Sequence, residues 1–153
     1  LNFAPASHLE LAMFSWSHTI ADRVAQLIEK PMFNSVLAVM ARALMAFIFI
    51  SAGYSKIEGF SGTEAYMAAM GVNPSFLPAV IAIELGGGLA LLFGWQTRLT
   101  AAALAGFCVI SGLFFHGDGE QANQILLMKN LAMAGGLLAF VRTGAGTPAL
   151  DRH

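Results

Sequence analysis

Residues 77–93 read LPAVIAIELGGGLALLF, an apolar run of 17 residues interrupted by one charge, Glu84, and by the triplet Gly86, Gly87 and Gly88. The hydrocarbon core of a bilayer is ~30 Å thick, so at ~1.5 Å per residue a helix needs about 20 residues to cross it, with ~17 as the practical minimum. Three further runs meet that requirement, at 36–54, 99–115 and 125–141. None shows the alternating polarity of a barrel strand. Helix breakers fall between or at the edges of the runs: Gly59, Gly62, Gly71, Pro74 and Pro78, then Gly94, then Gly117 and Gly119. The expected fold class is all-α integral membrane, a four-transmembrane-helix bundle.

Composition points the same way. The chain is 57% hydrophobic and 11% charged, whereas a soluble domain carries roughly 25% charged residues. So few charges cannot coat a water-facing surface, and the apolar excess must face lipid. With a net charge of −1 and no basic run, nothing tracks a phosphate backbone, which excludes nucleic acid as a partner. A single cysteine, Cys108, excludes an internal disulfide, a CxxC redox pair and a thiolate zinc site. The first residue is Leu1 rather than Met, which implies a start that was cleaved or lies upstream.

Residues 1–34 form a separate extension ahead of the membrane domain at 35–153. Leu9, Met13, Trp16, Ile20, Val24 and Leu27 recur at steps of three and four, with Ser15, His18, Asp22 and Glu29 on the other side. This predicts a one-faced N-terminal amphipathic helix over 9–28, suited to a membrane interface or to a groove on a partner. Asp22, Arg23 and Glu29 interrupt its apolar residues, so it is not a signal peptide. Cations set the orientation: Arg23, Lys30, Arg98, Arg142 and Arg152 fall on one side of the spans, and Lys56 with Glu58, Glu64, Asp118 and Glu120 on the other. Cations are retained in the cytoplasm, which places the N- and C-termini there.

Within the spans only Arg42, Glu84 and Lys129 are formally charged, each costing roughly 2.5–3.5 kcal/mol at mid-helix unless offset. Residue counting puts Glu84 about 10 Å and Lys129 about 6 Å from the same boundary, which makes them an expected ion pair. Arg42 is expected to snorkel to lipid phosphate or to reach Glu84, with the reach preferred. Lys56, His116 and Asn130, near the outer boundary, extend the polar set. One reading is structural, charges pairing to fix helix register. The other is a ligand pocket, walled by Tyr54, Tyr66, Met67, Met70 and Phe114, for a quinone headgroup. Trp95 fits better in the aromatic belt at the opposite end. Met67 and Met70 near His116 are too few convergent ligands for copper, and no metal site is expected.

Three stretches carry a resemblance: ARALMAFIFISAGYSKIEGFSGTEAYMAAMGV with Arg42, Gly53 and Lys56; AIELGGGLALLFGWQTRLTA with Glu84 and Arg98; and HGDGEQANQILLMKNLAMAGG with His116, Lys129 and Asn130. In their order and spacing the chain resembles the DoxX family of small bacterial inner-membrane proteins, from about residue 37 to 152. The resemblance implies a four-helix membrane bundle in the bacterial inner membrane. It also implies redox company: the family takes its name from a subunit of a thiosulfate:quinone oxidoreductase, and some relatives are linked to thiol and oxidative-stress systems. No haem-ligating His pair, flavin motif or Cys pair is visible in the sequence, so electrons would travel by a bound quinone or a partner, with no covalent cofactor. The leading expectation is a membrane subunit of a redox-linked complex, with Arg42, Glu84 and Lys129 at a polar site. An accessory or assembly subunit docking onto other membrane subunits is the alternative. A small-solute transporter is weaker, because no broken-helix inverted repeat is evident.

Overall fold

The computed structural model describes residues 8–117 and 119–151, without the side chains of 8–15, 17 and 18. The expected roles of Leu9, Met13, Ser15 and His18 on the amphipathic face, and of Asp118 and Arg152 in the charge asymmetry, therefore lie outside the described residues. The chain divides into two units, 1–37 and 38–153.

The first unit holds helix α1 (His8–Ile28). Of its apolar stripe, Trp16, Ile20, Val24 and Leu27 are all exposed. Pro31 opens helix α2 (Pro31–Glu58), at a first-turn position where a missing N–H costs nothing.

In the second unit, α2 continues to Glu58, past the expected end at 54, and is followed by a short helix α3 (Phe60–Ala69). The next crossing runs over Pro74–Phe93. It comprises a 3-10 turn (Pro74–Phe76), α4 (Leu77–Ile81), a π-helical turn (Ala82–Gly86) and α5 (Gly87–Phe93). Then come α6 (Thr97–His116) and α7 (Gln121–Thr143). No strand occurs among the described residues. Among the described residues four helices are long and apolar enough to span a membrane, and the protein is an all-α integral membrane protein. Each span outruns its apolar run by a few residues, because polar residues beyond the hydrocarbon still close the helical hydrogen-bond ladder.

Local signals fix the ends of these elements. Asn73 begins the second crossing: its side-chain oxygen accepts from the Ser75 N–H at 3.0 Å, and Pro74 follows at the first position. Gly94 ends it in the left-handed region, φ +66°. Helix α3 falls where only breakers were read. Gly59 is its N-cap rather than an interruption, and Gly62 meets open space, so its missing side chain leaves no packing unmade.

Phe49, Leu91, Leu104 and Leu137 form the centre of a core cluster contributed by α2, α5, α6 and α7. Outward faces are apolar too: Leu44 and Phe47 are 73% and 71% exposed, surface that lipid rather than water must cover. Helix α2 crosses the second span at backbone distance. A Cβ on Gly53 would lie 2.9 Å from the Leu85 backbone nitrogen, and one on Gly88 would lie 2.9 Å from Ile50. Small residues permit this approach, and in lipid such contact replaces the hydrophobic drive.

At one end the residues after α7 fold back across the bundle as a latch. The Leu150 and Asp151 N–H groups donate to the Phe93 and Gly94 carbonyls at 3.1 and 2.7 Å. The Asp151 carboxylate accepts from the Thr97 N–H at 3.1 Å, capping α6 from a distance. Arg42, 2% exposed, donates to the Pro148 carbonyl and more weakly, at 3.4 Å, to the Ala38 carbonyl one turn back. A Cβ on Gly94 would strike the Arg42 guanidinium and Ala149. Arg42 therefore neither snorkels to lipid nor reaches Glu84, as had been expected. It lies 14 residues before Lys56 on α2, about 21 Å along the helix, too far for its side chain to span.

Candidate functional site

At the other end of the bundle, α2, α3, the π-turn, α6 and α7 surround a cavity of about 260 Å³. Lys56, Glu84, His116, Lys129 and Asn130 all line it. Five of the six residues expected at a polar site are thus brought together, and Arg42 is not among them.

Glu84 is the buried centre, 6% exposed. Its partner is Lys56, whose Nζ lies 2.8 Å from Oε2 and 3.0 Å from Oε1. Lys129 shares the cavity but makes no ion pair with Glu84, which corrects the expected Glu84–Lys129 pair. Two local features explain the exchange. Lys56 is one turn beyond Gly53, and the close crossing at Leu85 carries it to the π-turn that holds Glu84. A π-turn also inserts an extra residue, re-aiming its side chains relative to a regular helix, and such turns recur at functional sites.

His116, the last residue of α6, presents a buried Nδ1 with no hydrogen-bond partner. Asn130 donates to the Leu126 carbonyl on its own helix at 3.1 Å, which leaves its side-chain oxygen as an acceptor at the cavity. Gly112 lets α6 and α7 meet there, since a Cβ would lie 3.0 Å from the Asn130 Cβ. Tyr66 of α3 stacks on Phe115 of α6, with ring centroids 5.6 Å apart and planes at 22°.

Of the expected walls, Tyr66 and Met67 line the cavity. Phe114 lines an adjoining groove instead, Tyr54 is exposed, and Trp95 stands at the opposite end beside Asp151. Cys108, Ser111 and Thr63 are lining residues that sequence reasoning missed. Cys108, Ser111 and Phe115 are spaced three and four apart on α6, and that spacing, traced back from His116, was the signal available. Among the described residues no three His, Cys, Asp or Glu side chains gather as metal ligands.

Phe49 and Phe107 of the cavity floor and the whole of the Lys56–Glu84–His116 set lie within residues 37–117, the stretch matched by the profile of the DoxX family. This chain belongs to the DoxX family. The match covers α3, α4, α5, α6 and most of α2, while α7, with Lys129 and Asn130, lies beyond it. "Inner membrane protein YqjF" of Escherichia coli (strain K12) is 48% identical over 120 residues, 78% of this chain and 92% of that protein. "Inner membrane protein YphA" of the same strain is 34% identical over 126 residues, 77% and 90% of the two chains. "Putative oxidoreductase CatD" of Bacillus subtilis (strain 168) is 38% identical over 105 residues, 63% and 78%. No solved structure matches the chain.

Proposed function

We propose that this DoxX protein is an inner-membrane subunit of a redox-linked complex, and that its polar cavity receives the headgroup of a quinone. The observation that carries the reading is the cavity itself. Hydrogen-bonding groups from four elements converge at one mouth, over a floor made by Phe49, Phe107 and Met133. A quinone ring needs apolar walls and donors for its two carbonyl oxygens. Lys56, His116 and Lys129 supply donors, and the unpartnered His116 Nδ1 is a polar atom with capacity to spare. The size is suitable, because even an engineered cavity of about 150 Å³ admits a benzene ring.

When bound, a quinone supplies two-electron carrier chemistry, with electrons arriving from a partner subunit. The chain's own residues then have separate tasks. The Lys56–Glu84 pair holds one cation at the mouth, and His116 exchanges protons at its ring nitrogens. The apolar floor excludes water. The oxidoreductase name of the Bacillus relative accords with this reading, and the two Escherichia coli names accord with the membrane assigned. The positions of Arg98 and Arg142 support a cytoplasmic location for the latch end, since cations are retained on that side.

The test is to purify the protein gently from native membrane and analyse it by mass spectrometry. Quinone is expected to copurify and to be lost from Glu84→Gln. Absence of quinone from the wild type, with unchanged quinone reduction in a Glu84→Gln strain, would overturn the proposal.

A second reading rests on the exposed stripe Trp16, Ile20, Val24 and Leu27, a handle by which a non-catalytic accessory subunit docks onto a larger membrane complex. Deleting residues 1–30 should then release a copurifying subunit while leaving the protein inserted, and retained copurification contradicts it.

A further inference from the structure

The polar cavity does not stop at its apolar floor. A second, larger space of about 520 Å³ lies against it. Met67, Val80, Phe107, Ser111 and Phe115 line both, so the two are separated by shared side chains and not by a layer of packing. The second space extends between the end of α3 and the start of the second crossing on one side and α6 on the other, where Val72, Phe76, Ile110 and Phe114 complete it. Its surroundings differ in kind from the first: apart from Asn73 and Ser111, every wall is apolar or glycine. Phe76, Ile110 and Phe114 are exposed on the outside of the bundle, at helix faces that acyl chains cover.

We infer that the two spaces form one amphiphile site, in which the polar cavity takes the headgroup and the groove along α6 takes the apolar chain attached to it. The inference rests on the headgroup reading and adds to it the class of molecule and its route. The ligand is a chain-bearing, membrane-resident quinone that enters sideways from the lipid between α3 and α6. Continuity argues for this occupant: a chain tethered to a head behind Phe107 and Phe115 meets the groove first. A chain already in lipid gains little hydrophobic energy by entering the groove, because lipid is as apolar as the wall. The groove therefore acts by shape, and admits or rejects a chain without altering the affinity of a bare head.

The probes are a methyl-substituted benzoquinone without a chain and the same ring carrying a decyl chain, bound to the full-length protein in nanodiscs and compared at equal concentration in the lipid. Ile110→Trp fills the groove from its lipid-facing side, where added bulk does not press on the core. The decyl compound is expected to bind about tenfold more weakly to this variant while the bare ring binds within about twofold of wild type. Phe76→Ala with Phe114→Ala, which widens the groove and cannot overpack, is expected to leave both probes within about twofold of wild type, and loss of the decyl compound there overturns exclusion by shape. Equal effects of Ile110→Trp on both probes, or none on the decyl compound, overturn the groove and leave the headgroup site standing. Saturable binding of neither probe to the wild type overturns the headgroup reading, and the groove with it.

Discussion

Each end of the bundle buries one charge that began in the middle of an apolar helix, Arg42 at one end and Glu84 at the other, and the two are satisfied in opposite ways. Arg42 is met mainly by the backbone of its own chain: the Pro148 and Ala38 carbonyls, with the Gly94 turn pressed against its guanidinium, the Asp151 carboxylate adding an opposite charge, and one buried nitrogen, Nη1, left without a hydrogen-bond partner. Arg42 does not line the cavity that Glu84 faces. Glu84 is met by one side chain, Lys56, and faces a space where His116, Lys129 and Asn130 also converge. A charge enclosed by backbone holds a fold together. A charge that shares a void with polar side chains from other helices is open to a ligand of the kind proposed.

The contrast breaks most readily at the latch. Arg42→Ala removes a buried charged donor, orphans the Pro148 carbonyl and leaves a void, so stability should fall by about 3 kcal/mol, read by denaturant titration in micelles. Quinone affinity at permissive temperature should stay within about twofold. A parallel loss of affinity would show that the two ends are coupled and that the division of labour is wrong.

Gly53→Ala tests the crossing that delivers Lys56. The new Cβ would meet the Leu85 backbone nitrogen at 2.9 Å, where neither helix yields easily, and overpacking of this kind costs about 1–3 kcal/mol. Because Lys56 is one turn away, this variant should lose ligand affinity as well as stability, unlike Arg42→Ala. Retained affinity would mean that Lys56 finds Glu84 without the close approach.

Asp151→Ala is milder. It removes a cap from the first turn of α6 and should lower stability by about 1 kcal/mol with binding unchanged. Unaltered stability would show that the tail is held without this carboxylate, by the Leu150 and Asp151 backbone bonds and the Arg42–Pro148 bond.

The four crossings were legible because lipid imposes one rule on every residue of a span, and a run of LPAVIAIELGGGLALLF satisfies it whatever its neighbours do. The latch was not. Residues 144–151, GAGTPALD, have no periodicity, and their order comes from hydrogen bonds to Phe93, Gly94 and Thr97, contacts distant in sequence. The site was half legible. Cost in lipid pointed to Glu84, and depth to Lys129, His116 and Asn130, but counting along straight rods could not register the π-turn at Ala82–Gly86 or the continuation of α2 to Glu58. Ending the helix at 54 left Lys56 in a loop, and counted depth paired Glu84 with Lys129 instead.

Which lysine serves Glu84 can be measured directly, and this is the smallest effect expected. Double-mutant cycles with Glu84→Gln should give a coupling of about 0.5–1 kcal/mol for Lys56→Met and under about 0.3 kcal/mol for Lys129→Met. Lys56 is only 28% exposed at its side chain and Glu84 only 7%, so screening reduces the first coupling without abolishing it. Lys129 is exposed, and in the ligand-free protein its ammonium gains nothing from a carboxylate already held by Lys56. With quinone bound the ranking should change: Lys129 then has a carbonyl oxygen to serve, and Lys129→Met should weaken binding while leaving unfolding untouched. Strong coupling of Lys129 to Glu84 in the ligand-free protein would restore the pairing that depth alone suggested, and with it a structural role for the whole cluster.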